Sequence, residues 1–262
     1  MDNAEKFPIQ RFTTEEKTEL EALVIKEIPL TIILNNQELV TLLCSASDLK
    51  YLAIGFLSSE GFLHSKDEIK QVNVNERAGV VRVETTGDNK ETSDRMFKRL
   101  ITSGCGRGAA FYSAADVETR KVISDTTISV MEVFALSHKF QNHSELYLST
   151  RGAHSSALCD NTKILVSNED VGRHNAIDKV FGQCLLKDIP SKDRIIITSG
   201  RISSEILHKV AKQEIPIIIS KSVPTNLGVR LSNDLGITLV GYVRGKKMNV
   251  YSNAQRITSN IR

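Results

Sequence analysis

A chain of 262 residues with 40% hydrophobic and 25% charged residues is long enough for one large domain or two modest ones with a substantial core, and its balance is that of an ordinary soluble globular protein. Its net charge of +3 is spread along the chain, so no basic stripe marks a nucleic-acid partner and none is expected. The four cysteines, Cys44, Cys105, Cys159 and Cys184, lie far apart with no Cys-x-x-Cys pair, which excludes a zinc knuckle, a thioredoxin-type motif and a small disulfide scaffold, and fits a reducing compartment.

In chain order, residues 1–14 are charged and lack an apolar centre, so they do not read as a signal peptide. No run of eighteen apolar residues follows anywhere, so no transmembrane helix is expected and the cytoplasm is the default location. Residues 1–20 read as a polar start, partly disordered. Ile28-Pro29-Leu30-Thr31-Ile32-Ile33-Leu34 and Leu39-Val40-Thr41-Leu42-Leu43, split by the Asn-rich turn Asn35-Asn36-Gln37-Glu38, predict a β-hairpin. Ser47-Asp48 then caps a helix over 48–60, with Leu49, Leu52, Ala53, Phe56 and Leu57 on one face and Gly61 as its stop. Residues 69–86 alternate as a second hairpin about Ala78-Gly79. Residues 87–95 form a charged loop that runs into a short helix ending near Leu100.

Thr102-Ser103-Gly104-Cys105-Gly106-Arg107-Gly108 comes next. Glycines on both sides leave the Cys105 thiol uncrowded. Arg107 would favour its thiolate, which is the nucleophilic form. The competing reading is a glycine turn that holds a small buried cysteine. Residues 117–127 have no clear pattern.

Ser129-x-x-Glu132 is a capping box that opens a helix to about Gln141. Residues 146–148, 153–159 and 163–166 are short strand candidates, and 170–186 is a helix with Ala176, Ile177, Val180, Phe181 and Leu185 on a stripe. Strands at 194–198, 216–220 and 237–242 alternate with helices at 203–213 and 225–235, and a last strand covers 248–251. That rhythm predicts a mostly parallel sheet covered on both faces, with ligands beyond the carboxyl ends of its strands. The loops after those strands carry Arg173, His174, Arg201, Lys221, Arg244, Lys246 and Lys247. Cations beside helix N-termini suit phosphate, so an anionic, nucleotide-like ligand is expected. Structural readings compete here too. Residues 244–247 fit a solvated hairpin turn, 199–204 a capped strand-to-helix turn, and Asp170 with His174 a structural pair at i, i+4. His154 reads as a satisfied polar residue, and Cys159 and Cys184 as core.

The string Glu169-Asp170-Val171-Gly172-Arg173-His174-Asn175-Ala176-Ile177-Asp178-Lys179 resembles the signature of the formate dehydrogenase accessory sulfurtransferases, the FdhD family. Gly55-Phe56-Leu57-Ser58-Ser59-Glu60-Gly61, Thr198-Ser199-Gly200-Arg201-Ile202-Ser203, Ser222-Val223-Pro224-Thr225, Leu239-Val240-Gly241-Tyr242-Val243-Arg244-Gly245 and Asn249-Val250-Tyr251 agree with it in order. The resemblance implies a protein that accepts sulfur from a cysteine desulfurase as a persulfide on a loop cysteine, here Cys105. It then passes the sulfur to the molybdenum cofactor of formate dehydrogenase. That cofactor, a bis-molybdopterin guanine dinucleotide, is implied as a ligand for Tyr242, Val243, Arg244, Gly245, Lys246 and Lys247, with no resident metal. Arg173, His174 and Arg201 join that set as cations at the same sheet edge. His174, oriented by Asp170, is open to proton transfer or phosphate binding. A homodimer is implied as well.

Gly108 stands where some family members carry a second loop cysteine. One thiolate still suffices for persulfide exchange. The implied fold is α/β, with an N-terminal β-rich α+β part over 1–125 that bears the cysteine loop. Over 126–262 it is a three-layer α/β/α sandwich resembling the cytidine deaminase fold. Ala153-His154-Ser155 lacks the glutamate and the following Cys-x-x-Cys of a zinc deaminase, which speaks against deamination. The competing function is a cofactor chaperone that binds and delivers the molybdopterin without carrying sulfur.

Overall fold

The computed structural model describes residues 3–86, 99–101, 109–111 and 121–259. Cys105 and Arg107 lie outside them, as does the charged stretch 87–95. The first element corrects the expected polar start. Ala4–Phe12 (β1) and Lys17–Ile25 (β2) pair antiparallel as a separate ribbon, from Ala4↔Ile25 to Phe12↔Lys17. The register sets Phe7, Ile9, Leu20, Ala22 and Val24 on one face and Lys6, Gln10, Glu19 and Glu21 on the other.

Glu27–Leu34 (β3) and Gln37–Ser45 (β4) form the expected hairpin. Asn35 and Asn36 at its tip both take positive φ, 47° and 65°, which asparagine tolerates in a two-residue turn. Leu49–Glu60 (α1) ends at the left-handed Gly61, as read, but starts differently: Asp48 is itself left-handed and its side chain caps nothing. Ile69–Asn75 (β5) and Val80–Thr85 (β6) form the second hairpin, and β6 pairs parallel with β3 in a sheet of order β4-β3-β6-β5. Leu30, Ile32, Leu34, Val81 and Val83 of this sheet pack on Leu49, Leu52, Phe56 and Leu57 of α1. Each such buried side chain stabilises by about 1.5–3 kcal/mol.

Arg99–Ile101 (β7) and Ala109–Phe111 (β8) pair antiparallel. Leu100 therefore sits within a strand and not at the end of a helix, and the two strands flank the Cys105 stretch. Ile128–Ser129 (β9) leads into Val130–Asn142 (α2), which is opened by the expected capping box. Glu132 N donates to Ser129 Oγ at 3.2 Å, and Ser129 N donates to Glu132 Oε2 at 2.7 Å. Residues 146–148, expected as a strand, belong to the helix Glu145–Thr150 (α3); three residues are too few to show a period. Among the described residues no helix is long and apolar enough to cross a membrane.

The remaining elements are His154–Cys159 (β10), Ile164–Asp170 (β11), Arg173–Leu186 (α4), Ile195–Thr198 (β12), Ser204–Lys212 (α5), Ile217–Ser220 (β13), Asn226–Asp234 (α6), Thr238–Arg244 (β14), Lys247–Ser252 (β15) and Ile257–Thr258 (β16). They build a six-stranded sheet of order β11-β10-β12-β13-β14-β15, while β16 pairs with β9. Only β12, β13 and β14 run parallel. β10 is antiparallel to β11 and β12, and β15 to β14. The expected mostly parallel sheet is therefore a mixed one, because the short turns joining β10 to β11 and β14 to β15 permit only antiparallel pairing.

Both faces are covered. Leu158, Ile196, Ile218 and Leu239 face Ile177 and Val180 of α4 and Ile206 and Val210 of α5. Ala157, Ile197, Ile219 and Val240 face Val133, Leu136 and Phe140 of α2. The result is the expected mixed α/β architecture with three layers. Leu185 and Leu186, at the end of α4, pack into the N-terminal core.

Candidate functional site

Most of the string from Glu169 to Lys179 is structural. Glu169 accepts hydrogen bonds from Leu146 N and Tyr147 N at 2.8 and 2.9 Å, satisfying the start of α3. Asp170 is fully buried against fully buried Lys179, with Nζ 2.7 Å from Oδ2. Ser45 donates to the same Oδ2 from its N–H and its hydroxyl, at 3.1 and 3.0 Å. Gly172 N and Asn175 Nδ2 each donate to Oδ1 at 2.9 Å. Lys179 in turn donates to Ser45 Oγ at 2.9 Å. This network ties the end of β4 to the junction of β11 and α4. It also corrects the expected Asp170–His174 pair: Asp170 ends a strand before the helix begins, and its carboxylate is engaged elsewhere. Asp178 serves the same purpose further along, accepting from Lys209 Nζ at 2.8 and 2.7 Å and from Ser59 Oγ at 2.6 Å.

Arg173 and His174 are the members of the string that reach the sheet edge. The carboxyl ends of β12, β13 and β14 lie there, beside the start of β10 and the end of β11. Arg173 lays its stem on Gly200, where a Cβ would come within 2.8 Å of Arg173 Cβ. His154 stands at the start of β10 with Nδ1 3.2 Å from Ser199 Oγ. Its pKa is held low by burial and then by Arg173 and Arg201, so these three side chains share one neighbourhood.

His174 Nε2 lies 3.4 Å from Glu205 Oε2. That is an ion-pair distance if the ring is charged, yet burial, followed by Lys209, Arg173 and His154, pushes His174 down to about 3. Desolvation dominates a ring this enclosed, so the imidazole is neutral near pH 7. Its Nε2 makes no hydrogen bond; neither do two other buried atoms on this edge, Arg173 Nε and Ser203 Oγ. Buried polar atoms are seldom left so.

A second cluster sits across β13 and β14. Tyr242 takes φ 56° at an interruption of the β14–β15 ladder, and its N–H donates to Ser222 O at 2.8 Å. Arg244 stacks its guanidinium 4.7 Å from the centre of the Tyr242 ring. Lys221 is pushed down by burial and then by Arg244, which places those two cations close together. Val243 points the other way and is 1% exposed in the core. Gly245 and Lys246 form the β14–β15 turn, with Gly245 at φ 56° and Lys246 and Lys247 exposed.

The structure thus brings Arg173, His174 and Arg201 together, and Tyr242 with Arg244 beside Lys221. Ser203 went unnoticed in the sequence because serine before a helix reads as a cap; here its side chain caps nothing. The three described cysteines, Cys44, Cys159 and Cys184, are buried free thiols. Each is pushed up to about 12, chiefly by desolvation.

Comparison with known proteins follows the same span of chain. The model of the FdhD/NarQ family matches residues 25–258. The sulfur carrier protein FdhD of Bacillus pumilus is 45% identical over 236 residues, 90% of each chain. That of Bacillus subtilis is 42% identical over 252 residues, 95% of each. That of Listeria innocua is 40% identical over 261 residues, 98% of this chain and 100% of its own. A crystal structure from Desulfotalea psychrophila, provisionally described as a formate dehydrogenase accessory protein, aligns with a TM-score of 0.83 at 27% identity, covering 98% of this chain and 100% of that one. The family match spans most of the chain, and the relatives cover 90% of it or more, so the chain belongs to the FdhD/NarQ family.

Proposed function

We propose that this chain carries sulfane sulfur on Cys105 from a cysteine desulfurase to the bis-molybdopterin guanine dinucleotide of a formate dehydrogenase. The observation that carries the reading is the state of the other thiols. Of the four cysteines in the sequence, Cys44, Cys159 and Cys184 are buried and held as thiols. A buried thiol is a poor nucleophile and has no path to a partner protein. Cys105 is the cysteine that remains. The curated relatives' name, sulfur carrier protein, supports the same reading.

The Cys105 thiolate attacks the terminal sulfur of the donor's cysteine persulfide. The donor's S–S bond breaks, its cysteine leaves as a thiolate, and the sulfane sulfur stays on Cys105. In delivery, that sulfur bonds to molybdenum and its bond to Cys105 Sγ breaks. Cys105 leaves as a thiolate, and the reduced metal supplies the two electrons that make the sulfur a sulfido ligand. The dinucleotide brings phosphates. Arg173, Arg201, Lys221, Arg244, Lys246 and Lys247 are the cations offered to them, with the Tyr242 ring beside Arg244.

Intact-mass analysis after incubation with a cysteine desulfurase and cysteine tests the carrier step. The expected result is a gain of one sulfur that a reductant removes and that Cys105→Ala lacks. An unchanged mass in the wild type, with the client enzyme still activated, would leave the protein as a cofactor chaperone.

A further inference from the structure

The β1–β2 ribbon has two unlike faces. On one, the polar groups are satisfied within the ribbon. Lys6 Nζ lies 3.4 Å from Glu21 Oε2, Gln10 Nε2 donates to Glu19 Oε1 at 3.2 Å, and Lys17 sits over the Phe12 ring. The other face has an apolar centre of Phe7, Ile9, Leu20 and Ala22. Glu5 and Val24 flank it at one end, Arg11 and Thr18 at the other. Phe7 is 46% and Val24 43% exposed. Among the described residues neither Glu5 nor Arg11 forms an ion pair. Six residues of extended chain, roughly 20 Å, separate these two charges, so they do not meet within one ribbon. A two-stranded ribbon with such a face is marginal in water unless that face packs on something. Its base is fixed to the body of the protein. Lys26 N donates to Asn3 O at 2.9 Å, and a Cβ on Gly152 would come within 3.0 Å of Ile25 Cγ2.

We propose that the partner is a second copy of this chain, with the two apolar faces docked about a two-fold axis. An axis at the level of the Pro8–Glu21 pair exchanges position 5 with 11, 7 with 9, 18 with 24 and 20 with 22. Each Glu5 then meets Arg11 of the partner subunit, so both unpaired charges are matched, twice over. Phe7 packs on Ile9 and Leu20 on Ala22 across the axis. The patch is its own complement, as an isologous contact requires. Sheet faces pack in this way about 10 Å apart. The two ribbon bases stand at opposite ends of the stack, which keeps the bodies of the two copies apart. The rival arrangement adds strand to strand along the free edge of β1. Pro8, in the middle of that strand, has no N–H to offer and opposes it. The contact uses no residue of the ligand edge and does not rest on the sulfur-carrier reading.

Sedimentation of the full chain at low salt over a range of concentrations tests the interface. Wild type is expected to be a dimer that dissociates on dilution. Glu5→Arg sets arginine against arginine at both contacts, and Arg11→Glu sets glutamate against glutamate. Each is expected to raise the dimer dissociation constant by ~10-fold, the scale of two exposed pairs turned repulsive. Combining Glu5→Arg with Arg11→Glu rebuilds both pairs in reverse and is expected to restore the wild-type constant. Phe7→Asp, which places a charge in the apolar centre, is expected to be monomeric throughout. A wild type that stays monomeric at every concentration, a dimer indifferent to the single reversals, or a double variant no tighter than either single one would each overturn the proposal.

Discussion

Gly55 of α1 and Gly182 of α4 occupy the crossing of their two helices, and neither position has room for a Cβ. A Cβ on Gly55 would stand 1.7 Å from the Asp178 carbonyl oxygen, and one on Gly182 would stand 1.9 Å from that of Tyr51. The obstructing atoms are backbone, so no rotamer change relieves the clash. Gly182→Ala is therefore expected to force the helices apart and destabilise by ~3 kcal/mol or more. Chemical denaturation would show this as a lower midpoint. A midpoint within error of wild type would show that the helices can separate without loss.

Lys179 forms a salt bridge with Asp170, and both are fully buried. Lys179→Met keeps the volume but leaves the carboxylate without its counter-charge. Removing one member of such a pair typically costs about 3–5 kcal/mol. The expected loss of stability should be recovered in part by adding Asp170→Asn, which removes the stranded charge. A double variant no more stable than Lys179→Met would assign the cost to packing instead.

His174 gives the fold an acid sensitivity of known sign. Its folded-state pKa, about 3, lies below its ordinary 6.5 because of burial and then Lys209, Arg173 and His154. The unfolded chain therefore binds a proton that the folded chain refuses across that interval. Its contribution is complete above pH 6.5 and is lost as pH falls towards 3, by up to about 1.4 kcal/mol per unit. Stability measured from pH 7 to pH 4 should fall more steeply for wild type than for His174→Gln. Parallel slopes would show that the ring is charged in the folded state.

Thiol accessibility should separate Cys105 from the rest. With the native protein at pH 8, iodoacetamide is expected to leave Cys44, Cys159 and Cys184 unmodified, because each is buried and held near 12. Peptide mapping should find the adduct on Cys105 alone before denaturation and on all cysteines after it. Native modification of Cys184 or Cys44 would remove the argument by elimination.

The legibility of this fold in its sequence varies with the length of the local signal. The Ser129–Glu132 capping box and the Asn35-Asn36 turn are chemical marks within a few residues, and both stand where the sequence puts them. β1 and β2 escaped because lysine, glutamate and arginine alternate with few strong apolar residues. Strand direction escaped because periodicity is the same either way. The partner of Asp170 escaped for another reason: Ser45 lies 125 residues away, and no spacing rule reaches that far. At the site, the cations were legible as residue types after strands. That Val243 faces the core while Arg244 stacks on Tyr242 depends on the break in the β14–β15 ladder, which leaves no local trace in the sequence.

The segment that looks most like a catalytic string is, for much of its length, a rivet. Through Asp170, Asn175, Asp178 and Lys179 it fastens β4 and α1 to the six-stranded sheet, while Arg173 and His174 in its midst face the ligand edge. Dividing the protein near residue 125 would therefore not yield a working binding half. The fragment beginning there would expose the seat of α1 along Gly182 and strand the Lys179 ammonium without Ser45. Anyone building a fusion or a split reporter from this scaffold should attach it at the termini and leave this seam intact.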